Sequence, residues 1–400
     1  MLRATGPGAV VSSTYLNAWR VAAIILVGLN LRPVLASVPP LLDLLQAATR
    51  MTDSAAGLLT ALPVFVMGLG ALGVAPLRSW IGEQSGIAVG VALVMAATAC
   101  RLWASEANLM LATGVIAGLG IAVTQALLPY YIRARFPTNA SAIMGLYSTA
   151  IMGGAAVASV AAPVLAERAG WPWALAAWAL PAAAALLCWL LVNRHAAAHP
   201  ANASVTAGLA RTPRSRRWLL AVFFGLGTGA YTLVLAWLPP YYTALGWTPV
   251  AAGQLLGAVT VAEIVAGLAV SLAIGRLSDR RVALFVAIGL LTLGLLGLIM
   301  APARLAWPAA VLSGLGIGAL FPLSLIVTMD HAATPSEAGR LASFVQGVGY
   351  LIAALFPFVA GLIRQHLAGL RPAWMLMAGI CLVLFAIALR LRTPQVAIKP

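Results

Sequence analysis

Two ionisable side chains stand in stretches that are otherwise almost wholly apolar. Arg32 lies in VGLNLRPVLASVPP, residues 27–40, and Glu263 in GAVTVAEIVAGLAV, residues 257–270. A guanidinium presents a planar fork of donors, which matches a carboxylate-like or linear anion. A carboxyl can take up a proton, neutralise a nearby cation, or bond a neighbouring helix. Nearby in the pattern are amides (Asn30, Gln125, Gln346) and rings (Tyr147, Tyr231, Phe321, Tyr350) able to flank a small planar molecule. This is equipment for binding. Hydrolytic or metal chemistry has no comparable set: HExxH and GxSxG are absent, and His195, His199, His331 and His366 fall in loops or at helix ends. No metal or cofactor is expected, and a membrane enzyme or a receptor is disfavoured.

The elements that must position these groups follow from composition. The 400 residues are 62% hydrophobic and 8% charged, against roughly a quarter charged in soluble domains. A span needs about 20 apolar residues to cross hydrocarbon. Blocks near 18–42, 54–76, 86–104, 107–131, 140–165, 171–193, 218–243, 249–275, 282–301, 305–329, 340–363 and 373–391 qualify, giving twelve spans. The first block is too long for the apolar region of a secretory signal. The net charge of +15 does not point to nucleic acid, because the basic residues fall in short gaps between apolar blocks. Cys100, Cys188 and Cys381 lie in or at apolar spans with no CxxC spacing, and read as small buried hydrophobes.

With the N-terminus in the cytoplasm, 17 of the 24 basic residues fall inside and six outside: Arg50, Arg101, Arg168, Arg304, Arg364 and Arg371. The positive-inside rule therefore sets both termini in the cytoplasm of an inner (plasma) membrane protein. The long polar gap 194–217 reads as a cytoplasmic linker between two six-helix bundles, 1–193 and 218–400. An internal repeat supports the division. VLASVPPLL at 34–42 returns as VLAWLPPYY at 234–242, AAG at 55–57 returns at 251–253, GLGI at 118–121 returns at 314–317, and Pro172 answers Pro372. Two like-oriented halves imply a pseudo-twofold axis along the membrane normal, with a site near the midplane between them.

Depth selects within the candidates. Midpoints of spans 1, 7, 8 and 11 put Arg32, Tyr231, Glu263 and Tyr350 at one level, with Asn30 a turn away. Gln125, Tyr147 and Gln346 lie about 8–10 Å nearer the cytoplasm at 1.5 Å per residue. A charge at the bilayer centre costs about 2.5–3.5 kcal/mol on insertion scales, so such groups face a cavity or pair with one another. For Arg32 the readings are an anion contact, a permanent ion pair with Glu263, or bonds to backbone freed by Pro33. Glu263 is a proton carrier, a counter-ion to Arg32, or a bond to span 5. Pro33 should bend or unwind span 1, and Pro39 with Pro40 should mark its outer end. Trp237, Tyr241, Tyr242 and Trp247 read as an interfacial belt. Trp237 and Phe344 are further candidates for an aromatic wall.

Between spans 8 and 9 stands GRLSDRR, residues 275–281. It resembles the major facilitator loop signature G-x-L-x-D-R, in which Gly275, Asp279 and Arg280 would form a latch at the cytoplasmic face. The matching gap between spans 2 and 3 keeps Leu77 but lacks the Asp-Arg pair, so the latch is expected on one side. LNLRP (29–33), LLP with RARFP (127–129, 133–137), GLYSTA (145–150), AWLPP (236–240), GALFPLSL (318–325) and QGVGY (346–350) follow in order. Together they resemble the cyanate/nitroimidazole transporter family within the major facilitators. The resemblance implies an all-α polytopic transporter of a small anionic or polar planar solute; alternating access by a monomer is expected, with proton coupling and direction left open. TQALLP replaces the family's Gly-Asn pair before Leu-Leu-Pro, and Glu263 is an addition. A proton-coupled drug exporter with Glu263 as the proton site is the alternative.

Overall fold

The computed structural model describes residues 7–73, 81–194, 212–274, 279–332, 334–367 and 369–391. Most of the 194–217 linker, Leu77 and Gly275 of the loop motif lie outside the described residues. The described residues contain twelve helices long and apolar enough to cross a membrane. Span 1 is composite: Pro7–Asn30, Pro33–Ala36, a 3₁₀ turn Pro39–Leu41, and Leu42–Thr49. The others are Asp53–Leu72 (span 2), Glu83–Cys100 (3), Ala107–Arg135 (4), Ala140–Ala169 (5), Trp171–Ala176 with Ala179–Asn193 (6), Arg214–Thr243 (7), Pro249–Ala273 (8), Arg280–Met300 (9), Pro302–Asp330 (10), Pro335–Leu367 (11) and Arg371–Arg390 (12).

Span 1 breaks where Pro33 requires it. Proline has no N–H to give the carbonyl of Leu29, and it restricts the residue before it. Arg32 keeps near-helical dihedrals, φ −103° and ψ −22°, but the helix ends at Asn30 and a short new helix starts at Pro33. The expectation that Pro39 and Pro40 end the span is corrected. They form one 3₁₀ turn, and the chain continues as helix to Thr49, because proline is tolerated in the first turn of each new segment.

The repeat is visible in packing as well as in letters. Thr52 caps span 2 by accepting from the Ala55 N–H at 3.2 Å, and Thr248 caps span 8 by accepting from Ala251 at 3.2 Å. Gly118 of span 4 lies against the backbone of Pro63 in span 2, and Gly314 of span 10 against that of Val259 in span 8. Each pair is related by the same offset as the AAG and GLGI matches. The two six-helix bundles meet through spans 2 and 11 and through spans 5 and 8. Gly57 rests on the backbone of Pro357 and Phe358, and its counterpart Gly253 on Ser159 and Pro163. Small residues permit these backbone approaches, where dispersion contacts replace the hydrophobic drive that lipid cannot supply.

Candidate functional site

Between the bundles lies a cavity of about 450 Å³. The first bundle lines it with Arg32, Val64, Met67, Gln125, Ser148 and Met152, and the second with Thr228, Tyr231, Thr232, Glu263, Phe321 and Tyr350. Its lining continues through Ser141 and Gly145 at the start of span 5, and through Leu268 and Ser271 near the end of span 8. Those residues lie toward the end of the molecule that carries the linker. At the opposite end the bundles are in contact. Arg364 of span 11 donates to Asp43 at 3.2 Å and to Gln46 at 3.5 Å, and lies 3.5 Å from Asp53. Thr243 donates to the other Asp43 oxygen, and Gln365 accepts from the Ser54 N–H at 3.2 Å. The cavity is therefore closed on the Arg364 side.

The break in span 1 presents Arg32 to this space. The side chain is only 6% exposed, its guanidinium carbon stands 5.5 Å from the centre of the Tyr231 ring, and its Nε has no hydrogen-bond partner. Glu263 is equally buried at 6%, and its Oε2 also lacks a partner. Among the described residues the two form no ion pair with each other or with any other group. The hydroxyls of Tyr147, Tyr231 and Thr228 are likewise buried and unpartnered. Ring attraction supplies about 0.5–2 kcal/mol to a cation, less than burial of an unpaired charge costs. A buried polar atom left unsatisfied costs about 1–3 kcal/mol. Four of these atoms, on Arg32, Glu263, Tyr231 and Thr228, belong to residues that line the cavity, a surface suited to a polar ligand.

Sequence-selected residues divide on placement. Arg32, Gln125, Tyr231, Glu263, Phe321 and Tyr350 share the cavity lining. Asn30 does not: its amide donates to Leu26 O at 2.8 Å, within its own helix. Tyr147 packs its ring against Gly28 behind the lining, and Gln346 lies off it on span 11. The permanent Arg32–Glu263 pair is not what forms, and Glu263 makes no bond to span 5. Phe224 was not singled out, yet its ring stands 5.5 Å from both Phe321 and Tyr350 and backs them. A lone aromatic in an apolar run carries no signal of that role. Thr228, one turn before Tyr231, was also missed, although its spacing was readable.

The belt reading is overturned for three of its four residues, Trp247 alone being partly exposed. Trp237 and Tyr242 are 0% exposed and Tyr241 8%. Their polar atoms bond carbonyls: Trp237 to Pro357 at 2.9 Å, Tyr241 to Leu298 at 2.9 Å, Tyr242 to Pro302 at 3.1 Å. Buried indoles and phenols need such acceptors. Phe344 meets Trp218, away from the cavity. In the loop motif, Asp279 caps span 9 by accepting from the Arg281 N–H at 2.9 Å, and pairs with the Arg281 side chain at 2.7 Å. Arg280 bonds Ile274 O and pairs with Asp330 at the end of span 10, at 3.3 Å. These contacts all join elements of the second bundle.

The sequence matches a model described as Major Facilitator Superfamily over residues 21–357. The chain belongs to that family. Within it, the chain is 37% identical over 382 residues to the cyanate transport protein CynX of Escherichia coli (strain K12), covering 94% of this chain and 98% of the relative. It is 31% identical to a 2-nitroimidazole transporter of the same organism, covering 86% and 88%. These matches place it in the cyanate/nitroimidazole transporter group. A D-xylose-proton symporter has the same fold, with a TM-score of 0.76 at 14% identity over 95% of this chain and 99% of that one. The nucleoside transporter NupG gives 0.71 at 14%, over 93% and 98%. The chain is thus a multi-pass membrane transporter of small solutes, and its named relatives are transporters rather than enzymes.

Proposed function

We propose that this transporter carries a small anion, of the cyanate-like or polar planar kind, by alternating access. Arg32 binds the anion from the first bundle, while Tyr231, Tyr350 and Phe321 approach from the second and Gln125 flanks the path. The observation that carries this reading is a buried guanidinium facing a cavity with no carboxylate paired to it. In the reading, residues 1–193 and 218–400 rock about the cavity, tied by 194–217. With both termini in the cytoplasm, as the basic residues favour, the described state opens inward. Asp279 and Arg280 brace the second bundle at its inner face as it moves.

A second reading is supported by the unpartnered, buried Oε2 of Glu263: a proton-coupled exporter in which that carboxyl carries the proton and the solute is neutral or cationic. One experiment separates the two. Purified protein in detergent is melted with cyanate, nitrate, nitrite, short carboxylates or neutral nitroimidazoles, in wild type and in Arg32→Gln. A ligand at 100 times its Kd should stabilise by about 2.7 kcal/mol. Stabilisation by an anion, lost in Arg32→Gln, supports the first reading. Stabilisation by neutral compounds alone, or an anion response that survives the substitution, overturns it.

A further inference from the structure

A second arginine, far from the candidate substrate contacts in sequence, is bonded to the short helix that follows the break. Arg101 ends span 3, and charge counting places it among the six basic residues on the outer side. It is 1% exposed, and among the described residues it pairs with no carboxylate. Its Nη1 donates to Val34 O at 2.6 Å and its Nε to the Thr113 hydroxyl at 3.3 Å. Thr113 in turn donates to Met110 O at 2.7 Å, which fixes its oxygen toward the guanidinium.

Val34 is two residues beyond Arg32, on the first turn after the break. In an uninterrupted helix its carbonyl would receive the N–H of Val38. Here Val38 bonds Leu35 O instead, at a long 3.4 Å. The carbonyl of Leu29, which Pro33 cannot serve, lies against Gly154 of span 5, where a side chain would collide with it. The segment after the break is therefore tied to span 3 by a buried cation, and the segment before it packs closely on span 5. A buried charge without a carboxylate is costly, and unsatisfied carbonyls within a membrane find partners.

We propose that Arg101 is a positioning residue for transport: by holding Val34 O it anchors the short helix Pro33–Ala36, and that helix, whose N-cap is Arg32, sets how Arg32 faces the cavity. This rests on the reading of Arg32 as the anion contact only for its functional meaning; the geometric claim stands apart. Without Arg101 the short helix loses its tie to span 3 and shifts, and position 32 moves with it away from the cavity.

The test needs no substrate. In a chain with Cys100, Cys188 and Cys381 replaced by alanine, Arg32→Cys is reacted with a small sulfonated methanethiosulfonate in detergent. Adding Arg101→Met should slow the reaction by about tenfold or more, the penalty expected when a reacting group is misplaced. Arg101→Lys, which keeps a charged donor, should restore most of the rate. Thr113→Val leaves the charge and removes only the orienting hydroxyl, so it should slow labelling by a smaller factor, roughly twofold to threefold. An unchanged rate in a folded Arg101→Met protein, with the elution volume and melting temperature of its parent, overturns the proposal. Should Arg101→Met fail to fold, an unchanged rate in Thr113→Val overturns it. Failure of every anion in the melting panel would remove the substrate reading and leave this result as it stands.

Discussion

At the scale of single residues, the question is how an arginine and a carboxyl group line one cavity without meeting. Each is held by its own helix: Arg32 by the break in span 1, and Glu263 by span 8, whose backbone Gly318 of span 10 approaches closely. If an anion completes Arg32, an ionised Glu263 opposes it. Glu263→Gln should then tighten anion binding by up to about 1–2 kcal/mol, the size of an interaction across several ångströms at an effective dielectric near 20. Titration calorimetry on both proteins would show it; weaker binding in the variant would mean that the carboxyl itself bonds the ligand. These charges were legible because they interrupt apolar runs, and depth counting brought Arg32, Tyr231, Glu263 and Tyr350 together. Asn30 and Gln346 were selected by chemistry and depth, neither of which gives the angle around a helix. An amide in a helix can satisfy itself on the preceding turn, as Asn30 does, and only the angle around the helix decides whether it reaches a cavity.

At the scale of elements, span 1 is the part that departs from ideal geometry. Pro33 made the break readable, but not what anchors the segment beyond it, because Val34 O and Arg101 lie 67 residues apart in sequence. The contact of span 5 with the break is equally invisible to pattern, since GLYSTAIMGGAA offers several glycines and only packing selects Gly154. Gly154→Ala should lower stability by about 1–3 kcal/mol, the usual cost of an added carbon in a filled contact, read as a fall in melting temperature. No fall would mean that span 5 yields freely at that point. The aromatic cluster at the end of span 7 shows the converse error: amphipathic rings near a span end suggest a belt, while here the helix carries them inward to carbonyls of spans 9 to 11.

At the scale of the whole molecule, closure on one side is concentrated around Arg364. Asp43, Gln46 and Asp53 of the first bundle meet it, and its guanidinium lies 5.5 Å from the ring centre of Trp237. Asp43 is 45% exposed at its side chain, so water screens that contact and the cluster contributes modestly, about 1 kcal/mol in all. Arg364→Gln should still shift the balance toward the state open on that side by roughly fivefold, the ratio that corresponds to such an energy. Distances between spin labels on the outer ends of spans 2 and 11 would report it; an unchanged distribution would place the closing energy in the glycine contacts beneath. Sequence counting assigned Arg364 to the outer side and stopped there, because ion pairs between bundles leave no periodic mark.

The repeat adds a consequence of its own. By the offsets that relate the halves, Arg32 corresponds to Thr232 and Glu263 to Met67, and all four line the cavity. Each charge is therefore unmatched, and they stand on opposite bundles at one depth. With Glu263 ionised, the electric field in the cavity runs across the passage, in the plane of the membrane, and not along it. A solute with a charged end and an uncharged end would lie broadside between the bundles, and rocking would carry it from one face to the other without turning it round.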